Sequence, residues 1–144
     1  MSAFVLDCSV AISWCIEDEV SVETDALLER TRDFGAYVPD LWGYEVSNVL
    51  LQAHKRGRLS ENQISAMLEL LWALPVTIVS SSDLAAFKTN LTLAMSEKLT
   101  TYDAAYLALA LSKHLPLATM DKALRRACGK LGIKVLPKVD LSNE

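Results

Sequence analysis

Short apolar runs alternate along this chain with longer segments of helical periodicity, and this alternation restricts the fold more than any other feature. Strands that are separated by helices pair in parallel, because joining two parallel strands needs a crossover of about a dozen residues or more. We therefore predict an α/β fold in which a central parallel β-sheet is flanked by helices, an α/β/α sandwich. The runs interpreted as strands are residues 3–6, 37–38, 76–79, 116–119 and 133–136.

Capping residues and helix breakers delimit the segments between the predicted strands. Ser60 and Gln63 form a capping-box pattern that opens a helix, and Asp40 is interpreted as the N-cap of the helix before it. Gly57 and Gly132 follow two helical segments, as glycine commonly does at helix C-termini. The predicted helices begin near residue 9 and then cover residues 24–32, 41–56, 60–73, 82–98, 103–114 and 122–131.

The composition is that of a folded chain with a substantial core. Of 144 residues, 51% are hydrophobic and 22% are charged, which argues against disorder and predicts one domain over residues 1–144. The longest uninterrupted apolar run, residues 104–111, is far shorter than the roughly 20 residues that cross a bilayer. The three cysteines form no C-x-x-C pair and no secretory signal is visible, so we expect a cytoplasmic protein without membrane contact or a zinc site.

Acidic residues lie close to the points where the predicted strands end. Asp7 directly follows the first strand, and Asp121 lies just after the fourth. Glu45 lies in the second turn of its helix, and Asp103 lies in the first turn of another. The carboxyl ends of parallel strands share one edge of a sheet, and ligands bind at that edge in open α/β folds. We therefore expect these carboxylates to meet there.

Each aspartate also has a purely structural explanation. Asp7 and Asp121 are placed to cap helices, and Asp103 completes a capping-box pattern that begins at Thr100. Glu45 is harder to explain in this way. The neighbouring stripe of its helix is apolar, and a carboxylate that faces such a stripe is costly without a charged or donating partner. Spacing alone leaves both interpretations open for the aspartates.

Four segments occur in an order and spacing that make a specific pattern. They are Val5-Leu6-Asp7-Cys8-Ser9, Val38-Pro39-Asp40-Leu41-Trp42 leading to Glu45-Val46-Ser47-Asn48, Thr101-Tyr102-Asp103-Ala104-Ala105-Tyr106, and Leu117-Ala118-Thr119-Met120-Asp121. In these segments, and over roughly residues 4–136, the chain resembles PIN-domain ribonucleases, in particular the VapC toxins of type II toxin–antitoxin systems. Cys8 departs slightly from the family, which often has Thr or Ala at that position.

The resemblance implies a PIN fold and an endoribonuclease that depends on Mg²⁺ or Mn²⁺. By position, it implies that four acids bind the metal and carry the catalysis: Asp7, Glu45, Asp103 and Asp121. It also implies that three polar side chains support the acidic site: Ser9, Asn48 and Thr119. The implied partners are an RNA substrate, a cognate antitoxin and a second copy of the chain in a homodimer. A carboxylate cluster suits this chemistry, because hard divalent cations prefer oxygen ligands.

Charge is unevenly distributed along a chain whose formal net charge is −4. Acidic residues predominate over residues 17–33, and basic residues predominate over residues 113–138. A predicted helix begins directly after Asp121 and carries three cationic side chains. We expect them to contact the phosphates on either side of the RNA bond that is cleaved: Lys122, Arg125 and Arg126.

A candidate groove for an antitoxin helix is formed by Trp14 and the apolar faces of the helices near residues 9–16 and 41–56. Contacts between two copies of the chain, or simple burial, explain the same residues equally well.

Two other functions fit parts of the pattern. A phosphatase of the haloacid dehalogenase type also places an aspartate after its N-terminal strand, but it expects a second acid at the position of Ser9. A catalytically inactive PIN-like module that binds RNA or protein would share the fold. The acids favour the nuclease over both, because a cluster of carboxylates is costly to keep without a function.

Overall fold

The structure, a computed structural model, describes residues 2–16, 18 and 20–138, and five short strands in these residues form one sheet. The strands are β1 (Phe4–Leu6), β2 (Ala36–Pro39), β3 (Val76–Val79), β4 (Leu117–Ala118) and β5 (Val135–Leu136). Neighbouring strands pair in parallel in the order β3-β2-β1-β4-β5. The predicted parallel α/β architecture is confirmed.

Helices fill every connection between the strands. They are α1 (Cys8–Ser13), α2 (Val22–Phe34), α3 (Trp42–Lys55), α4 (Glu61–Trp72), α5 (Leu84–Glu97), α6 (Thr101–Lys113) and α7 (Lys122–Leu131). Ser60 and Gln63 make the predicted capping box at the start of α4, and Ser21 begins α2 in the same way. Within the described part of the chain, none of the helices has the length and apolarity that crossing a bilayer requires.

The order of the strands determines where a ligand site can form. The chain runs from β1 outward to β2 and β3, then returns across the sheet to β4 and β5. With right-handed crossovers, this reversal places α1–α4 on one face and α5–α7 on the other. Contacts of α3 with α1 and α4, and of α6 with α5 and α7, agree with these two layers. The two connections diverge after β1 and β4, which opens a crevice at their carboxyl ends.

The core is built around the central strand. Phe4, Val5 and Leu6 are all completely buried, as a strand covered by helices on both faces requires. Leu117 of the neighbouring strand and Leu107 of α6 are buried to the same degree. Because these strand residues are anchored by packing on both faces, the residues that follow them emerge at fixed positions.

Two sequence predictions near the strand ends were wrong. Asp40 does not cap α3: the N-cap residue is Leu41, and the Asp40 carboxylate instead accepts a hydrogen bond of 2.8 Å from the Ser80 hydroxyl. The fourth strand is shorter than predicted, because Thr119 lies beyond its end. The side chain of Thr119 is hydrogen-bonded to Asp7.

Arg125 of α7 ties together the carboxyl ends of the last two strands. Its guanidinium donates to the carbonyl oxygens of Thr119 and Pro137 at 2.8 Å each, and to that of Leu136 at 3.4 Å. A guanidinium suits this position because it presents five N–H donors in a fixed plane. The half-buried Arg125 therefore stabilises the loop that follows β4.

We expect Arg125→Met to lower the free energy of unfolding by about 2–3 kcal/mol, because it removes charge-assisted hydrogen bonds and leaves their carbonyl acceptors unsatisfied. The measurement is equilibrium denaturation in urea. The matched control is Arg126→Met, which changes an exposed neighbour on the same helix and should shift stability by less than about 0.5 kcal/mol. Equal losses in the two variants would contradict the structural role of Arg125.

Candidate active site

Asp7 lies at the centre of the crevice, at the end of β1. It occupies the N-cap position of α1, yet its side chain makes no capping hydrogen bond. Its carboxylate oxygen Oδ2 instead accepts hydrogen bonds of 2.7 Å from the hydroxyls of Ser9 and Thr119. Only 6% of Asp7 is exposed. The capping interpretation therefore does not account for this carboxylate.

The two hydroxyls that bind Asp7 are themselves oriented by backbone amides. The Met120 N–H donates to Ser9 Oγ at 2.9 Å, and the Asp121 N–H donates to Thr119 Oγ1 at 3.0 Å. Each hydroxyl has one proton to donate, and accepting a bond from an amide leaves that proton for the carboxylate. Asp7 is therefore held in one orientation by residues from both sides of the crevice.

Asp103 and Asp121 enter the crevice from the first turns of two helices. Asp121 is the N-cap of α7, and its Oδ2 accepts a hydrogen bond of 2.9 Å from the Leu124 N–H. Asp103 is half-buried in α6, where its N–H donates to the Thr100 hydroxyl at 3.1 Å. Capping thus explains the position of Asp121, and the Asp103 carboxyl also interacts with the Thr100 hydroxyl at the start of its helix.

Glu45 reaches the same region from α3 and is held by a tyrosine. The hydroxyl of Tyr106 donates to Glu45 Oε1 at 2.5 Å, across 61 residues of sequence. This bond supplies the donor that a carboxylate beside an apolar stripe needs. Tyr106 was not among the predicted site residues. Its position three residues after Asp103, on the same face of α6, was the available signal.

The four acids destabilise one another's charges. Burial raises the pKa of Asp7 above its usual range, the hydroxyls of Thr119 and Ser9 oppose this, and the Asp121 charge adds to it. Burial also raises the pKa of Asp103, with further contributions from Asp121 and Asp7. These interactions show that the carboxylates lie within electrostatic reach of each other.

Glu45 belongs to the same electrostatic group. Burial raises its pKa, the Tyr106 hydrogen bond lowers it, and the charges of Asp7 and Asp103 raise it again. Among the described residues, no salt bridge pairs any of these four acids with a cation. The site is therefore a partly buried concentration of negative charge that a cation would stabilise.

The donor set fits a hard divalent cation, since all four side chains offer carboxylate oxygens. Over the described ranges, however, no three His, Cys, Asp or Glu side chains form a group that could hold a metal ion by itself. Mg²⁺ is commonly bound by one or two carboxylates, with waters and substrate phosphates completing its coordination. The residues present fit that kind of open site.

The other predicted site residues are distributed differently. Asn48, Lys122 and Arg126 are exposed, and within the described residues none of them hydrogen-bonds to the four acids. The Arg125 guanidinium lies on backbone carbonyls, so the structure does not support the expectation that it contacts a flanking phosphate. Ser9 and Thr119 are in direct contact with Asp7.

The candidate antitoxin groove around α1 is explained by burial. Val10, Ala11 and Ile12 are part of the core, and the Trp14 indole N–H donates to the Thr24 carbonyl at 2.7 Å. An apolar groove of about 730 Å³ lies between the start of α3 and the helices α5 and α6. Its lining includes Tyr44 and Tyr102, which directly precede Glu45 and Asp103 in the sequence.

Comparison with solved structures supports the fold. PAE2754 from Pyrobaculum aerophilum superposes with a TM-score of 0.69 at 21% identity, covering 88% of this chain and 84% of that one. FitAcB from Neisseria gonorrhoeae superposes with a TM-score of 0.62 at 17% identity, covering 94% of this chain and 96% of that one. A toxin–antitoxin complex from Klebsiella pneumoniae superposes with a TM-score of 0.53 at 21% identity, covering 84% of this chain and 87% of that one.

Sequence comparison identifies the family. The family model for the PIN domain matches residues 4–130, which include all four acids. Ribonuclease VapC3 of Pyrobaculum aerophilum is 32% identical over 120 residues, which span 83% of this chain and 90% of that protein. The fold comparison and the sequence comparison thus agree, and both cover the elements that carry the four carboxylates. The chain is a member of the PIN-domain family, in its VapC group.

Proposed function

We propose that this protein is an endoribonuclease that hydrolyses RNA phosphodiester bonds with the help of Mg²⁺ or Mn²⁺. The observation that carries the proposal is the group of four carboxylates at the crevice between β1 and β4, which form no salt bridge with any cation in the described part of the chain. Membership of the PIN-domain family and the similarity to a ribonuclease give further support.

The proposed chemistry divides between metal and protein. In the reaction a water oxygen bonds to phosphorus, the bond to the leaving ribose oxygen breaks, one proton is removed from the water, and the leaving oxygen takes up a proton from solvent to become a hydroxyl. A bound divalent cation would neutralise the phosphate charge and assist the attack. Asp7 and Asp103 would hold that cation most directly, and Asp121 and Glu45 would complete its coordination through water or bind a second ion. Glu45, whose pKa is raised, is suited to accept the proton of the attacking water.

Exposed cations near the crevice are suited to hold the RNA. Lys122 and Arg126 lie on α7, which starts immediately after Asp121. A phosphate on either side of the scissile bond would pass within reach of this helix, and such contacts position a nucleic acid without reading its sequence. Arg125 is assigned to the fold rather than to RNA.

We further propose that the protein is the toxin of a type II toxin–antitoxin pair and acts in the cytoplasm. The similarity to a toxin–antitoxin complex in fold, together with the VapC relative, supports an antitoxin partner. Three cysteines buried in the core suit a reducing compartment.

The apolar groove supports a homodimer. One side of the groove is α5, through Phe87 and Leu91, and Leu84 and Met95 extend the same exposed apolar stripe at helical spacing. The groove residues in the described part of the chain carry no Lys or Arg and one acid, Asp40. A continuous apolar surface of this kind is suited to pack against the same surface of a second copy about a two-fold axis.

Purified chain without antitoxin is expected to cleave structured RNA when Mg²⁺ or Mn²⁺ is present and to stop when EDTA is added. Asp7→Asn should reduce the cleavage rate by about 100-fold or more, because a lost metal ligand removes several kcal/mol of transition-state stabilisation. Gel analysis of end-labelled RNA measures both effects.

The control for this experiment is Asp33→Asn, which changes an exposed acid on α2 and should cleave like the wild type. Metal-dependent cleavage that survives unchanged in Asp7→Asn would point to a contaminating nuclease. Absence of cleavage across several RNAs would favour the inactive binding module.

Metal-free Asp103→Asn should melt a few degrees higher than the metal-free wild type at pH 7, because it removes a charge that burial, and then the charges of Asp121 and Asp7, make unfavourable in the folded state. The folded-state pKa of Asp103 is raised, so its ionised form destabilises the fold fully above that pKa. This loss of folding stability shrinks as the pH falls toward about 4, the pKa of an aspartate in the unfolded chain. The difference in Tm between the two proteins should therefore narrow from pH 7 to pH 4.5.

Added Mn²⁺ should raise the Tm of the wild type at pH 7, and by less at pH 4.5, where protons compete for the same carboxylates. Differential scanning fluorimetry gives all of these values. A variant that melts below the wild type at pH 7 without metal would show that the ionised Asp103 carboxylate does not destabilise the metal-free fold.

Leu91→Lys should convert a dimer into a monomer, because it places a charge in the apolar contact between two copies. Leu91 is 51% exposed and lines the groove. Light scattering coupled to size-exclusion chromatography measures the mass. Leu70→Lys is the matched control, since Leu70 is 46% exposed on α4, outside the groove, and its replacement should leave the dimer intact. A wild type that is monomeric at all concentrations would rule out the dimer.

A further inference from the structure

Tyr106 is a completely buried residue whose polar atom points at a site acid. None of its surface is exposed, and its hydroxyl donates to Glu45 Oε1 at 2.5 Å. Within the described residues this is the hydroxyl's one hydrogen bond. Burial, assisted by the charges of Asp7 and Glu45, raises the pKa of the phenol well above its ordinary value. The phenol therefore stays protonated and acts as a donor.

The hydroxyl of Tyr106 is fixed in space by the packing of α6. The neighbouring residues Leu107 and Ala110 are buried, and α6 contacts both β1 and β2. Asp103 lies one turn earlier on the same helix, so α6 brings a site carboxylate and this hydroxyl to one face. A rigid helix on the core thus sets the position of the donor relative to the metal-binding acids.

Glu45 has no comparable support from its own layer. It lies in the first turns of α3, on the opposite face of the sheet from α6, and it is half-buried. No other hydrogen bond from the described residues reaches either of its carboxylate oxygens. A glutamate side chain has three rotatable bonds, and without a partner its carboxylate would occupy several rotamers.

We propose that Tyr106 is a positioning residue that holds Oε1 of Glu45 and thereby presents Oε2 to the divalent cation or to the attacking water. The inference rests on the proposed nuclease function and extends it to a residue that contacts neither metal nor RNA. The bond also joins the two helical layers, since Tyr106 lies on α6 and Glu45 on α3.

The test measures Mn²⁺ affinity by calorimetry, and separately RNA cleavage, in Tyr106→Phe. We expect Mn²⁺ binding to weaken about tenfold, as is typical when a partner of a metal-site carboxylate is removed, and kcat to fall while KM for RNA changes little. In a Glu45→Gln background, Tyr106→Phe should change Mn²⁺ affinity less than twofold, because the carboxylate that it positions is already gone.

Two further variants keep the outcome interpretable. Glu45→Asp retains the charge but withdraws the carboxylate from Tyr106 by one methylene, and it should show the same loss of Mn²⁺ affinity even if Tyr106→Phe is poorly folded. Tyr37→Phe is the matched control, because it removes a hydroxyl from a half-buried tyrosine on β2, and it should behave like the wild type.

The outcomes separate this inference from the proposed function. If the wild type binds Mn²⁺ and cleaves RNA, two results overturn the role of Tyr106 alone. One is a Tyr106→Phe variant with unchanged Mn²⁺ affinity and cleavage, and the other is an equal effect of Tyr106→Phe in the wild-type and Glu45→Gln backgrounds. A wild type that neither binds Mn²⁺ nor cleaves RNA overturns the nuclease proposal, and the role of Tyr106 with it.

Discussion

The hydrogen bonds that hold the Asp7 carboxylate are the interaction on which the rest of the site depends. Asp7 follows a completely buried strand, and burial of its charge is costly. The hydroxyls of Ser9 and Thr119 offset part of that cost, and the amides of Met120 and Asp121 orient those hydroxyls. Removing any one of these donors would leave a buried carboxylate less compensated, so the position of Asp7 depends on both the loop after β4 and the start of α1.

Much of this fold could be predicted from the sequence because its elements are short and sharply delimited. The strand at residues 76–79 and the helix over residues 122–131 were predicted with the bounds that the structure has. The order of the strands could not be predicted, since local patterns carry no information about which strands become neighbours. The role of Asp40 was predicted wrongly, because the local sequence is the same whether an aspartate caps a helix or binds a distant hydroxyl. Here Asp40 binds the hydroxyl of Ser80.

The candidate site was predictable to a similar degree and for related reasons. The carboxylates could be found because strand ends meet at one edge of a parallel sheet. The contacts of Tyr106 and Arg125 could not be predicted, because only the tertiary structure creates them. Tyr106 is part of the core, as a tyrosine in a helix commonly is, but its hydroxyl also donates to Glu45. Arg125 was expected to contact phosphate, whereas its guanidinium donates to the Thr119 carbonyl.

The inward and outward faces of α7 carry residues with different roles, and this has a consequence for how such proteins diversify. Arg125 faces inward and secures the main chain behind Thr119, whereas Lys122 and Arg126 face solvent on the same helix. Substitutions at the outward positions can alter the pattern of charge offered to a nucleic acid without moving the buried carboxylate. Under the proposed function, the contacts with the RNA backbone and the geometry of the carboxylates are thereby assigned to different faces of a single helix, and mutation can vary the first while the second is preserved.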